Sequence, residues 1–143
     1  MKPILFFIFA LISQPAFAKT KPPAYSPGVP KPTHSEVRYG KHERNVLDFW
    51  KAESKSPAPV AFVIHGGGWK GGCKERLDRF ADPDALLQKG ISIVAINYRY
   101  VTSDESPPVK APLHDAARAL QFIRSKAKEW NINKTRIGAA GGS

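Results

Sequence analysis

Two near-continuous apolar runs, Val60-Ala61-Phe62-Val63-Ile64 and Ile91 to Ile96, constrain the fold of this chain more than any other feature. Apolar runs this short belong to strands buried on both faces, as in parallel sheets covered by helices. The first run leads directly into His65-Gly66-Gly67-Gly68-Trp69, where three successive glycines leave backbone N–H groups uncovered by any side chain. A loop of that kind can cradle a developing oxyanion.

The segments around these runs supply the rest of an alternating pattern. Glu36 to Tyr39 and Val46 to Ala52 read as short strands joined through the polar stretch Gly40 to Asn45, an antiparallel hairpin at a sheet edge. Between the two apolar runs, Asp82 can cap a helix with Pro83 in its first turn, and Gly90 supplies the stop. Leu113, Ala116, Ala117, Leu120, Ile123, Ala127 and Trp130 then recur at helical spacing, which predicts a second helix packed on the sheet. Thr135 to Ala140 reads as a further strand, and the small residues from Gly138 to Gly142 permit close approach of neighbouring backbone. Strands and helices in this order predict an α/β, doubly wound, mostly parallel sheet with an antiparallel N-terminal hairpin and right-handed crossovers.

The N-terminus carries a different signal. Lys2, the apolar run Ile4 to Ile12 and Ala16-Phe17-Ala18 have the charged, hydrophobic and small-residue regions of a secretory leader, too short to span a bilayer. Residues 1–18 are therefore expected to be a signal peptide and the mature protein to be secreted or periplasmic, with no membrane attachment after cleavage. Residues 19–35 hold Pro22, Pro23, Pro27, Pro30 and Pro32, a density that favours extended polyproline conformation and reads as a spacer. The domain occupies residues 36–143.

Composition excludes several function classes. Cys73 is the only cysteine, so no intrachain disulfide forms, and its place in Lys70-Gly71-Gly72-Cys73-Lys74 reads as an inert thiol in a loop. No His, Cys and carboxylate cluster has the spacing of a metal site. The net charge of +10 points by itself toward an anionic partner. Yet the Lys and Arg residues are spread from Lys19 to Arg136, without the dense basic run or aromatic interleaving of a nucleic-acid surface. A solvated basic surface is the expectation, with no nucleic-acid partner.

The chain closes on Arg136-Ile137-Gly138-Ala139-Ala140-Gly141-Gly142-Ser143, whose last three residues read as the opening of a G-x-S-x-G nucleophile elbow. With the strand into HGGGW, the second apolar strand ending Asn97-Tyr98-Arg99-Tyr100 and the long amphipathic helix, this resembles the α/β-hydrolase superfamily. The resemblance is to its HGGG-bearing esterase and lipase branch, which includes feruloyl-esterase-like and carboxylesterase-like enzymes. It covers about residues 36–143, the N-terminal portion of a family domain as far as the nucleophile.

The resemblance implies a secreted serine hydrolase acting on carboxylic esters, small or polysaccharide-linked, through an acyl-serine intermediate and without a cofactor. It implies Ser143 as nucleophile and the backbone N–H groups of Gly67 and Gly68 as arms of the oxyanion hole, with the third donor, the acidic residue and the histidine later in chain order. His65 is expected to order the loop rather than act as base; His34, His42 and His114 do not occupy the family's position. Asp104 and Asp115 precede the serine and read as structural or surface residues. Trp69, Tyr98 and Tyr100 lie at or beyond strand ends, where open α/β sheets bind ligands, and either line a substrate pocket or pack loops onto the domain. Residues 1–143 alone are expected to give no useful turnover, and a half-domain with strand 135–140 as a bare edge is expected to fold poorly. Two alternatives stay open: a non-catalytic secreted binding protein derived from a hydrolase half, and a peptidase of the same superfamily. Oligomeric state is not legible.

Overall fold

The computed structural model describes residues 23–104 and 106–143. The leader over residues 1–18 and the beginning of the proline-rich stretch lie outside the described residues. Among those residues one mixed sheet forms from β1 (His34–Arg38), β2 (Val46–Trp50), β3 (Ala58–Ile64), β4 (Ser92–Ile96) and β5 (Ile132–Gly141), in the spatial order β1-β2-β4-β3-β5. Strand β3 runs parallel to β4 and β5, while β2 is antiparallel to β1 and β4. This is the α/β arrangement expected from the two apolar runs, which lie side by side as β3 and β4.

The N-terminal hairpin is present, but only β1 is an edge. Strand β2 is inserted between β1 and β4 and is buried along its length, Asp48 included. Strand β5 forms the other edge among the described residues, and most of its side chains are exposed.

Helices cover both faces of the sheet. Helix α1 (Pro83–Gln88) begins as the sequence predicts, with the Asp82 side chain accepting a hydrogen bond from the Ala85 N–H at 3.0 Å and Pro83 in the first turn. Helix α2 (Lys110–Ser125) is followed by the single turn α3 (Ala127–Trp130) rather than continuing to Trp130. The break falls where the Ser125 hydroxyl donates back to the Phe122 carbonyl at 2.6 Å, and the Lys126 N–H meets the carbonyls of both Phe122 and Ile123. The buried line of α2 also differs from the predicted stripe. Ala111, Asp115, Ala119 and Ile123 face inward, whereas Leu113 is 52% exposed and Ala117 lies on the outer side.

One core joins Leu47, Phe49, Val60, Phe62, Val94 and Ile96 to Ala119, Ile123 and Trp130. Trp130 stacks on Phe49 with ring centroids 4.4 Å apart. On the opposite face Trp50, Val63, Ile93 and Ala95 pack with Leu77, Leu86 and Leu87. Part of the proline-rich stretch belongs to this second core. The Tyr25 ring meets Trp50 edge-on at 5.3 Å, and the Trp50 indole N–H donates to the Pro30 carbonyl at 2.7 Å. The prolines keep the segment extended and out of the sheet, while Tyr25 and Val29 give it apolar anchors, so its described portion is a strap against the sheet.

Asp115 is fully buried because it ties three elements together. Its carboxylate accepts from the Arg99 N–H at 3.0 Å, from the Arg99 guanidinium at 2.9 Å on each oxygen, and from the Asn45 amide at 2.7 Å. Burial by itself raises the Asp115 pKa, but the bonds from Arg99 and Asn45 outweigh it and hold the carboxyl below its ordinary range. Replacing Asp115 by Ala removes one side of a buried charged network and is predicted to cost on the order of 3 kcal/mol in urea unfolding. The folded state binds the Asp115 proton less readily than the unfolded chain. Its contribution is therefore full above the ordinary carboxylate pKa of about 3.9 and is lost as pH falls below it toward the depressed folded value. An unchanged urea midpoint in the Ala variant would contradict this role.

Candidate active site

The parallel pairing of β3 with β5 places Ile64 opposite Gly141, so the chain leaves both strands at the same end of the sheet. His65 to Trp69 follow β3, and Gly142 and Ser143 follow β5. The two exits come into backbone contact: a Cβ at Gly66 would lie 2.7 Å from the Gly142 carbonyl oxygen and 3.0 Å from the carbonyl carbon of Ser143. Only glycine fits there. Around this contact lies a cleft of ≈ 430 Å³ lined by His65, Gly67, Gly68, Trp69, Tyr98 and Ser143, with the intervening backbone. Six of the residues singled out from the sequence thus converge on one cleft at the carboxyl ends of parallel strands.

The loop is a closed turn. The Gly67 carbonyl accepts the N–H groups of Lys70 and Gly71 at 3.0 and 3.1 Å, and the Trp69 carbonyl accepts the Val101 N–H at 2.9 Å. Gly67, Gly68 and Trp69 all have positive φ, at 128°, 58° and 62°. For a tryptophan this conformation costs about 1–2 kcal/mol, so the surrounding bonds must impose it. Trp69 is held edge-on to Tyr98 with centroids 5.6 Å apart and remains partly exposed over the cleft.

His65 is buried at the base of the loop. Its ring stacks on Tyr98 at 4.3 Å, the Tyr98 hydroxyl donates to the His65 carbonyl at 2.8 Å, and its Nδ1 lies 2.9 Å from the Gly66 carbonyl. An Nδ1–H donating to that carbonyl leaves Nε2 as the second ring nitrogen, and Nε2 is buried without a hydrogen-bond partner among the described residues. Burial, reinforced by the charges of Arg44 and Arg76, lowers the His65 pKa despite the bond to Gly66. A neutral imidazole used on one side by its own loop is suited to ordering that loop.

Downstream, the loop is fastened by groups that sequence reading missed. The Lys74 N–H donates to the Asn97 side chain at 2.7 Å. The buried Lys74 ammonium pairs with Asp48 at 3.0 Å, with Glu75 at 2.6 Å and with Glu36, and the Tyr25 hydroxyl donates to Asp48 at 2.6 Å. Burial alone favours the neutral amine, but the three carboxylates outweigh it and raise the Lys74 pKa. Glu36, Asp48 and Glu75 are close enough together to suggest a cation site, and the cation among them is this ammonium. Sequence offered no signal for the cluster, because Glu36, Asp48 and the Lys74-Glu75 pair lie in three separate segments of the chain.

The remaining candidates lie away from the cleft lining. Tyr100 donates to the Gly72 carbonyl at 2.5 Å, which makes it a loop-packing residue. Cys73 is partly buried and its thiol pKa is raised, first by burial and then by Glu75, consistent with an unreactive thiol. His34 stacks against Phe49 and Trp130, the His42 Nδ1 accepts the Arg44 N–H at 3.1 Å, and His114 is exposed on α2. Asp104 is exposed beside Ser103.

The fold defines a member of the α/β-hydrolase superfamily. Within it, the BD-FAE family model matches residues 47–143, and the chain belongs to that family. It is 34% identical over 114 residues to the probable carboxylic ester hydrolase LipM of Mycobacterium tuberculosis, a match covering 76% of this chain and 25% of that protein. It is 28% identical over 102 residues to an acetylxylan esterase of Xylanibacter ruminicola, covering 68% of this chain and 20% of that one. Among solved structures, a truncated carbohydrate esterase from gut microbiota superposes with a TM-score of 0.68 at 25% identity, covering 85% of this chain and 42% of that chain. The chain thus spans a quarter or less of the length of the two esterases compared by sequence.

Two outcomes follow from the loop geometry. Gly72 has φ 94°, and a Cβ there would sit 2.5 Å from the His65 Nδ1, so Gly72→Ala is predicted to displace the His65 ring and shift its NMR resonances. His65 is predicted to titrate below the ordinary histidine value. The unfolded chain takes up that proton first, so this contribution to stability is full above about pH 6.5 and is lost as pH falls from there toward the lower folded pKa. A His65 that titrates at or above about 6.5 by NMR would contradict the neutral, loop-bound ring.

Proposed function

We infer that this chain carries the nucleophile and the oxyanion loop of a carboxylic ester hydrolase. The observation that carries the inference is the convergence of the β3 and β5 exits, which puts Ser143 and the glycine loop on one cleft. In the reaction the Ser143 hydroxyl oxygen attacks the ester carbonyl carbon while its proton passes to a histidine base, and the carbonyl electron pair moves onto oxygen. The N–H groups of Gly67 and Gly68 stabilise that oxyanion, joined in the superfamily by a donor from the residue after the nucleophile. Collapse expels the alcohol, protonated by the same histidine, and leaves an acyl-serine that water then hydrolyses. None of these steps calls for a cofactor.

The base and its acidic partner belong to positions after Ser143 in the superfamily's chain order. His65 is unsuited to the task, since its Nδ1 bonds the loop and its Nε2 is buried. Residues 1–143 by themselves therefore supply oxyanion and binding effects at most, on the order of 10³ to 10⁴-fold over water in a serine-protease template. The substrate is an ester of a small molecule or of a polysaccharide. The exposed Trp69 beside the cleft supports a sugar or acyl contact, as does similarity to proteins described as an acetylxylan esterase and a carbohydrate esterase. The leader-like N-terminus supports action outside the cytoplasm.

Treating the natural gene product with a fluorophosphonate is predicted to add one phosphonyl group, mapped by mass spectrometry to Ser143 and absent in Ser143→Ala. Labelling that persists unchanged in that variant would overturn the nucleophile assignment. Residues 1–143 alone are predicted to hydrolyse a short acyl ester no faster than their Ser143→Ala variant.

A further inference from the structure

We propose that Arg44 is the positioning residue of the glycine loop, its guanidinium joining the main-chain carbonyls of Tyr98 and Gly72 that flank His65. The proposal rests on Gly67 and Gly68 being the oxyanion donors. Arg44 lies in the turn between β1 and β2, far from the loop in sequence. Its Nε donates to the Tyr98 carbonyl at 2.7 Å and its Nη2 to the Gly72 carbonyl at 3.1 Å. The guanidinium carbon lies 3.8 Å from the centroid of the Tyr100 ring, and the Tyr100 hydroxyl donates to the same Gly72 carbonyl.

These contacts act on the two sides of one imidazole. The His65 ring is stacked against Tyr98, and the Gly72 backbone lies so near that an added Cβ would meet Nδ1. A single planar fork therefore sets the separation between Tyr98 and Gly72, and with it the slot that holds His65. His65 in turn opens the run of glycines that lines the cleft. Both Arg44 hydrogen bonds end on main-chain carbonyls. Their function is to fix backbone, which two N–H groups in a rigid plane do and the single ammonium of lysine does not. The Tyr100 ring lies against the guanidinium, so the cation keeps a favourable site although it is drawn partly out of water.

The test compares Arg44→Ala and Arg44→Lys with wild type in the protein as its gene encodes it. Steady-state kinetics on a short acyl ester and the amide resonances of Gly67 and Gly68 are read together. Arg44→Ala is predicted to lower kcat by on the order of tenfold to a hundredfold with KM held within about twofold, and to shift or broaden both amides. Arg44→Lys is predicted to keep the wild-type melting temperature and still lose kcat. Millimolar guanidinium ion is predicted to restore part of the kcat of Arg44→Ala and none of that of Arg44→Lys. If either variant folds and retains wild-type kcat and unshifted Gly67 and Gly68 amides, the positioning role is overturned; should Arg44→Ala fail to fold, Arg44→Lys decides alone. A wild-type protein without Ser143-dependent hydrolysis would overturn the oxyanion reading instead, and the amide shifts would still decide whether Arg44 holds the loop.

Discussion

Backbone against backbone, the contact of Gly66 with Gly142 and Ser143 is the constraint on which the rest of the site depends. Two parallel strands separated only by hydrogen bonds deliver their exits side by side, and any side chain at Gly66 would push them apart. The pairing of Ile64 with Gly141 sets the level at which the exits meet. Gly141 repeats the constraint one residue earlier, where a Cβ would lie 2.7 Å from the Ile64 carbonyl oxygen. An α/β sheet offers this geometry at the carboxyl ends of its strands, and here the offer is used by a loop rich in uncovered N–H groups.

Apolar burial makes the sheet but does not aim the loop, because hydrophobic attraction has no direction. Aim comes from polar groups behind it. The Lys74 ammonium with its carboxylates, the Arg44 fork and the Tyr98 hydroxyl each hold a different point between His65 and Lys74. Hydrogen bonds to charged groups contribute about 1.5–3 kcal/mol each, against about 0.5–1.5 for neutral ones, so the charged anchors outweigh the strain of Trp69 in its left-handed conformation. Asp115 extends the same logic to α2 by binding Arg99, the residue after Tyr98, and Asn45, the residue after Arg44.

Much of this was legible in the sequence where local chemistry decides structure. The runs that became β3 and β4, the Asp82-Pro83 helix start and the glycine loop are short-range signals, and each folds as its residues suggest. The long-range pairings were not legible. Counting Asp115 as polar rotated the predicted stripe of α2 and placed Leu113 inward, whereas partners contributed by Arg99 and Asn45 turn the carboxylate inward and leave Leu113 outside. Asp48 sits in a fully buried strand for the same reason, with Lys74 and Tyr25 arriving from elsewhere in the chain. Arg44 read as part of a polar turn, because nothing nearby in sequence announces that its bonds end on Tyr98 and Gly72.

The measurement to make is a crystal structure of the natural gene product after reaction with a phosphonate that mimics the tetrahedral intermediate. A phosphonyl group on the Ser143 oxygen, with its free oxygen about 2.7–3.1 Å from the Gly67 and Gly68 nitrogens, is the expected result. An adduct whose oxygen is held by other donors, or a phosphonate on a different residue, would contradict the assignment of this loop and this serine to one catalytic centre.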